Sequence, residues 1–113
     1  MDLDKYQKRA AKYDLFETTT DLNSPGFLEK ILGLAGEAGE AADKVKKILR
    51  DKGGYANEQD KAELAKELGD VLWYIANVAR YLDMDLSDIA KGNIEKLSSR
   101  QKRNKLHGEG DNR

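Results

Sequence analysis

The stretch SPGFLEKILGLAGEAGEAADKVKKILRDKGG, Ser24 to Gly54, decides the fold. Serine followed by proline opens a helix, because the serine side chain caps a free backbone N–H and proline is tolerated at the first helical position. From there Phe27, Ile31, Leu34, Ala38, Ala42, Val45 and Leu49 recur at helical spacing, and Gly53-Gly54 ends the pattern. The segment reads as one long amphipathic helix.

Outward from it the chain stays helical. Asn57 reads as the cap of a third helix marked by Leu64, Leu68, Val71, Ile75, Val78 and Leu82, ending near Asp83. Ser87 is placed as the cap of a fourth, carrying Ile89, Ile94 and Leu97. Upstream, a short first helix is predicted from about Leu3 to Tyr13, and the polar, unperiodic stretch from Thr18 to Asn23 is a loop. Residues 101–113 are polar and glycine-containing and read as a flexible tail. No strand-like alternation survives beside these helices. The class is all-α: one domain over 1–113, a compact bundle of about four helices with the two long central ones in a hairpin.

Composition narrows the chemistry. At 113 residues the chain buries one modest core, and its 39% apolar and 36% charged content suits slender helices with solvated outer faces. A fold of this kind completes its core by pairing with copies of itself. The formal charge of −1 gives no overall attraction for nucleic acid or an acidic membrane. With no cysteine, thiol catalysis and thiolate metal sites are excluded, which leaves oxygen donors and a hard cation. No apolar run is long enough for a signal or a membrane span, so the reading is cytoplasmic.

The acidic residues are not scattered. Glu37 and Glu40 stand three apart on the second helix, and Glu67 and Asp70 repeat that offset on the third, with Glu63 one turn earlier. Residues three apart share a helix surface, so each pair is two carboxylates side by side. Either pair alone reads as solvated surface. A hairpin that brought both pairs face to face needs a compensating cation, and Mg²⁺, with oxygen ligands and retained waters, leaves positions for phosphates. Gly33, Gly36 and Gly39 each cost roughly 1 kcal/mol inside the helix, a cost that close approach of another helix or a ligand explains.

The segments Leu34-Ala35-Gly36-Glu37-Ala38-Gly39-Glu40 and Glu67-Leu68-Gly69-Asp70-Val71-Leu72-Trp73-Tyr74 resemble the MazG-like nucleotide pyrophosphohydrolases, whose signature is Glu-x-x-Glu, a variable insert, then Glu-x-x-Asp. The insert here is residues 41–66, enough for the end of one helix, a turn and the start of the next. The likeness extends to Asn93-x-x-Lys96-Leu97-x-x-Arg100 and to the closing Gly108-Glu109-Gly110-Asp111-Asn112-Arg113.

This resemblance implies a helical subunit assembling as a dimer or tetramer, and Mg²⁺-dependent cleavage of a nucleoside triphosphate, ribo or deoxy, to monophosphate and pyrophosphate. Mn²⁺ is the expected substitute. The biological role implied is nucleotide-pool sanitation or breakdown of deoxynucleotides. Glu37, Glu40, Glu67 and Asp70 become the metal ligands, one glutamate also orienting or deprotonating the attacking water. Lys44, Lys96 and Arg100 stand one turn from Glu40 or from each other and are assigned to substrate phosphate. Tyr74 and Asn93 match positions that approach the nucleoside.

Other signals carry less. Asp83, Asp85 and Asp88 lack the glycine and glutamate of a calcium loop and read as a helix end and an acidic first turn. His107 has no nucleophile around it. The basic cluster of Arg100, Lys102, Arg103 and Lys105 lacks interleaved aromatics, so nucleic acid ranks last as a partner. Trp73 is placed in the core or a subunit interface. The competing function is a non-catalytic helical module that binds nucleotide or protein without turnover.

Overall fold

The computed structural model describes residues 1–113 and is entirely helical, with α1 (Leu3–Ala11), α2 (Pro25–Lys52), α3 (Glu58–Tyr81) and α4 (Leu86–Lys102). The two long helices begin and end where local chemistry requires. Ser24 Oγ accepts from the Phe27 N–H at 3.3 Å with Pro25 next in line, and Gly53 takes the left-handed conformation at φ 61°. Gly54 then donates back to the Ile48 carbonyl at 3.2 Å. At the start of α3, Asn57 and Asp60 exchange side-chain bonds to each other's N–H, at 2.8 and 3.0 Å, in a capping box. Asp60 also receives Lys52 Nζ at 2.7 Å, so the turn is clamped from both sides.

Contacts between α2 and α3 run in opposite directions along the two chains: Lys52 to Asp60, Lys44 to Glu67, Lys30 beside the Trp73 ring, Gly26 against Tyr81. The hairpin is therefore antiparallel, and it sets Glu37 across from Glu67 and Asp70.

Three boundaries differ from the sequence reading. α1 stops at Ala11 rather than Tyr13, and α3 stops at Tyr81, where Asp83 at φ 56° makes the corner. α4 begins at Leu86, not after Ser87, and its first residue's neighbour Asp85 makes no side-chain cap. The cap comes from another helix: Asp4 on α1 accepts from the Ser87 N–H at 3.0 Å and from Ser87 Oγ at 2.6 Å. Those bonds hold the Asp4 carboxyl below its ordinary pKa. Gln7 completes the corner, donating to the Ala76 and Met84 carbonyls and accepting from the Leu86 N–H.

The core of the single chain is small. Ala10, Ala76 and Leu86 form its centre, with Tyr6, Trp73 and Ile75 packed around them, and only 10 of 113 residues are buried. Trp73 belongs to this layer, its indole N–H donating to the Ala10 carbonyl at 3.1 Å. The apolar stripe predicted for α2 and α3 is open toward the turn between them: Leu49 is 61% exposed, Leu68 57% and Val45 41%. One chain thus leaves a continuous apolar face of its hairpin uncovered, far more than scattered surface leucines.

Residues 103–113 fold back along the end of α4. The Arg113 guanidinium donates to the carbonyls of Lys105, Leu106 and Gly110, and Asp111 takes both Lys96 and Arg100.

Candidate metal and phosphate site

Glu37 projects from α2, and Glu67 and Asp70 from α3, into the same gap. Each offers a carboxylate oxygen, and these oxygens lie within 4.8 Å of one another. Ligands on opposite sides of a Mg²⁺ ion stand about 4.2 Å apart, twice a bond of ~2.1 Å, so a small inward rotation of the side chains suffices to share one ion.

The clustered carboxylates act on one another. The Glu37 carboxyl is pushed above its ordinary range, first by burial, then by a hydrogen bond to Glu67 and by the charges of Asp70, Glu67 and Glu40. Glu40 is exposed and stands outside the close trio, acting on Glu37 through its charge. Three hard oxygen donors in a partly open gap, with no sulfur or nitrogen ligand, fit a magnesium-type cation.

Of the cations assigned to phosphate, Lys44 stands at the site, 3.5 Å from Glu67 and 3.7 Å from Glu63. Lys96 and Arg100 sit on α4, which packs on α1 and α3, and both are held by Asp111 at 2.8 and 3.0 Å. Neither makes an ion pair with the acid trio. The Arg100 side chain is buried, with its Nε unpartnered. Asn93 stands exposed on α4.

Tyr74 lies one turn beyond Asp70 and against Gly33, where a Cβ would fall 2.2 Å from the ring carbon Cε1. The close approach that the helical glycines suggest is therefore real at Gly33. Gly36 and Gly39 meet nothing within 4 Å inside the chain. The Tyr74 hydroxyl donates to Glu29 Oε1 at 3.4 Å, and burial together with the charges of Glu29 and Glu37 raises its pKa.

The chain belongs to the MazG nucleotide pyrophosphohydrolase domain family. That family's model matches residues 27–104, which takes in both acid pairs and reaches past Arg100. The chain is also similar to the Gene 37 protein of Mycobacterium phage L5, 45% identical over 114 residues and covering all of both chains. No solved structure matches it. The MazG domain so defined begins within α2, leaving α1 and the following loop outside the matched residues. No helix is long and apolar enough to cross a membrane.

One residue of that unmatched loop gathers partners from both long helices that no sequence signal singles out. Asp14, just after α1, accepts from Lys30 Nζ at 2.8 Å, the Phe16 N–H at 3.0 Å, Arg80 at 2.7 Å and the Tyr81 hydroxyl at 2.8 Å. Lys30 is 1% exposed, pairs also with Glu29, and lies among the rings of Phe16, Trp73 and Tyr81 at 4.7 to 5.8 Å. A buried lysine is tolerable here because Asp14 from the loop and Glu29 beside it both pair with the ammonium.

Proposed function

We propose that this MazG domain hydrolyses nucleoside or deoxynucleoside triphosphates to the monophosphate and pyrophosphate. The observation that carries the reading is the carboxylate trio of Glu37, Glu67 and Asp70 drawn together from two helices, in a family of nucleotide pyrophosphohydrolases. With Glu40 beside them, these residues would hold Mg²⁺, or Mn²⁺ in its place. Bound there, the cation supplies charge neutralisation on the phosphate oxygens and a polarised water.

The chain's own groups do the rest. Water adds to the α-phosphorus, the bond from that phosphorus to the α–β bridging oxygen breaks, and pyrophosphate leaves with that oxygen. One glutamate of the cluster accepts the water's proton. Lys44 beside Glu67 meets phosphate charge. Lys96 and Arg100 join it once substrate phosphate replaces Asp111 as their anion.

The uncovered hairpin face supports a homo-oligomer, dimer or tetramer, in which Ala42, Val45, Leu49, Leu64 and Leu68 are covered by a second copy. The purified chain incubated with a nucleotide panel and Mg²⁺ should release monophosphate and pyrophosphate in equal amounts. Release of orthophosphate and a nucleoside diphosphate instead overturns the reading.

A further inference from the structure

The acid trio does not exhaust the carboxylates on the cleft between α2 and α3. Glu29, Gly33 and Glu37 follow one another at intervals of four, which keeps them on one slowly turning row of the helix surface. Eight residues of helix set Glu29 about 12 Å along the axis from Glu37, roughly two turns. That distance is on the order of the span of a nucleoside measured from its phosphates. On the facing helix, Tyr74 bridges the interval: it stands one turn from Asp70, its ring rests on Gly33 and its hydroxyl reaches Glu29.

Glu29 is held as a fixed reader would be. Its Oε2 pairs with the buried ammonium of Lys30, which Asp14 anchors from the far side, and its Oε1 accepts from Tyr74 at 3.4 Å. Yet the side chain is 38% exposed, unlike its neighbours in the network. A carboxylate offers about four lone-pair positions and no donor, so two remain for a ligand after Lys30 and Tyr74 are satisfied. What fits them is N–H. Adenine, cytosine and guanine carry an exocyclic amino group, whereas thymine and uracil present ring carbonyl oxygens on either side of their one ring N–H, which a carboxylate repels.

We propose that Glu29 is the base-reading residue of the nucleotide site and selects nucleotides whose base carries an exocyclic amino group over those of thymine and uracil. Lys30 is its positioning residue. The inference rests on the pyrophosphohydrolase reading and adds the substrate class to it.

The test compares the full chain with Glu29→Gln, in which one oxygen becomes an amine donor, and with Glu29→Ala. Both leave the Lys30 to Asp14 pair in place. Values of kcat/KM are measured with Mg²⁺ for dATP, dCTP, dGTP, dTTP and dUTP. Binding of the five monophosphates is followed separately through the fluorescence of Trp73, the chain's one tryptophan, which meets the Tyr74 ring edge-on at 4.9 Å. The unaltered chain should favour the three amino-bearing nucleotides, and Glu29→Gln should lower that preference by about tenfold in both measurements. Turnover by the unaltered chain without such a preference, or variants that slow all five substrates in parallel, overturns this inference alone. Neither turnover nor binding of any nucleotide by the unaltered chain overturns the parent reading and this one with it.

Discussion

Lys30 Nζ lies 2.8 Å from Asp14 Oδ1, and the two side chains are 1% and 2% exposed. This pair ties the loop after α1 to both long helices, because Asp14 also takes Arg80 and Tyr81 from α3. It is the point at which the segment outside the matched family domain is fastened to the hairpin that carries the acids.

Removing one member should therefore cost more than a surface charge would. Asp14→Ala leaves the buried Lys30 ammonium with Glu29 alone, and Lys30→Met leaves the buried Asp14 carboxylate to Arg80, Tyr81 and the Phe16 N–H, each expected to lose about 1.5–3 kcal/mol in urea unfolding. The double variant Asp14→Leu with Lys30→Met should recover most of that loss. Single variants within about 1 kcal/mol of the unaltered chain, the range of an exposed pair, would show that the network contributes little.

Acid should act through the same carboxylate. Burial by itself would raise the Asp14 pKa, but hydrogen bonds from Lys30, the Phe16 N–H, Tyr81 and Arg80 outweigh it, and the group sits below its ordinary 3.8. With the native value depressed, the unfolded chain takes up the proton first as pH falls. The stabilisation is whole above 3.8 and is lost as pH drops below that through the native value. Unfolding free energy followed from about pH 5 to about pH 2 should fall more steeply for the unaltered chain than for Asp14→Asn. Parallel slopes would contradict the assignment.

Gly33 and Gly92 make a matched pair of helical glycines. Alanine at Gly92 meets open space and should gain up to about 1 kcal/mol from helix propensity. At Gly33 its Cβ would lie 2.2 Å from the Tyr74 ring, so Gly33→Ala should lose about 1–3 kcal/mol by overpacking. It should also move the Tyr74 ring, seen as a change in the fluorescence of Trp73 beside it. Equal gains at both positions would mean that Tyr74 does not rest on Gly33.

How much of this was legible in the sequence follows from the range of each interaction. Ser24 with Pro25, Asn57 with Asp60, and Gly53 act within a few residues, so α2 and α3 were readable at their starts and at the turn between them. The acid offsets were equally local, and the antiparallel hairpin brings three of the four, Glu37, Glu67 and Asp70, together. What escaped is long-range. Ser87 looks like a cap for α4, but its N–H is satisfied by Asp4 from the other end of the chain. Asp14 sits in a polar loop and Lys30 looks like any helix-surface lysine; only folding reveals that both are buried. The apolar periodicity of α2 and α3 marks a face without saying which of its residues one chain leaves exposed, as it does Leu49 and Leu68.

Whether Glu37, Glu67 and Asp70 share a divalent cation is decided by equilibrium titration of Mn²⁺ into the purified chain, followed by electron paramagnetic resonance. Binding should be saturable, be displaced by Mg²⁺ and fall by at least about tenfold in affinity in Glu67→Gln and Asp70→Asn, each removing one charged ligand. Binding of equal strength in those variants, with their helical fold intact, would contradict a shared cation.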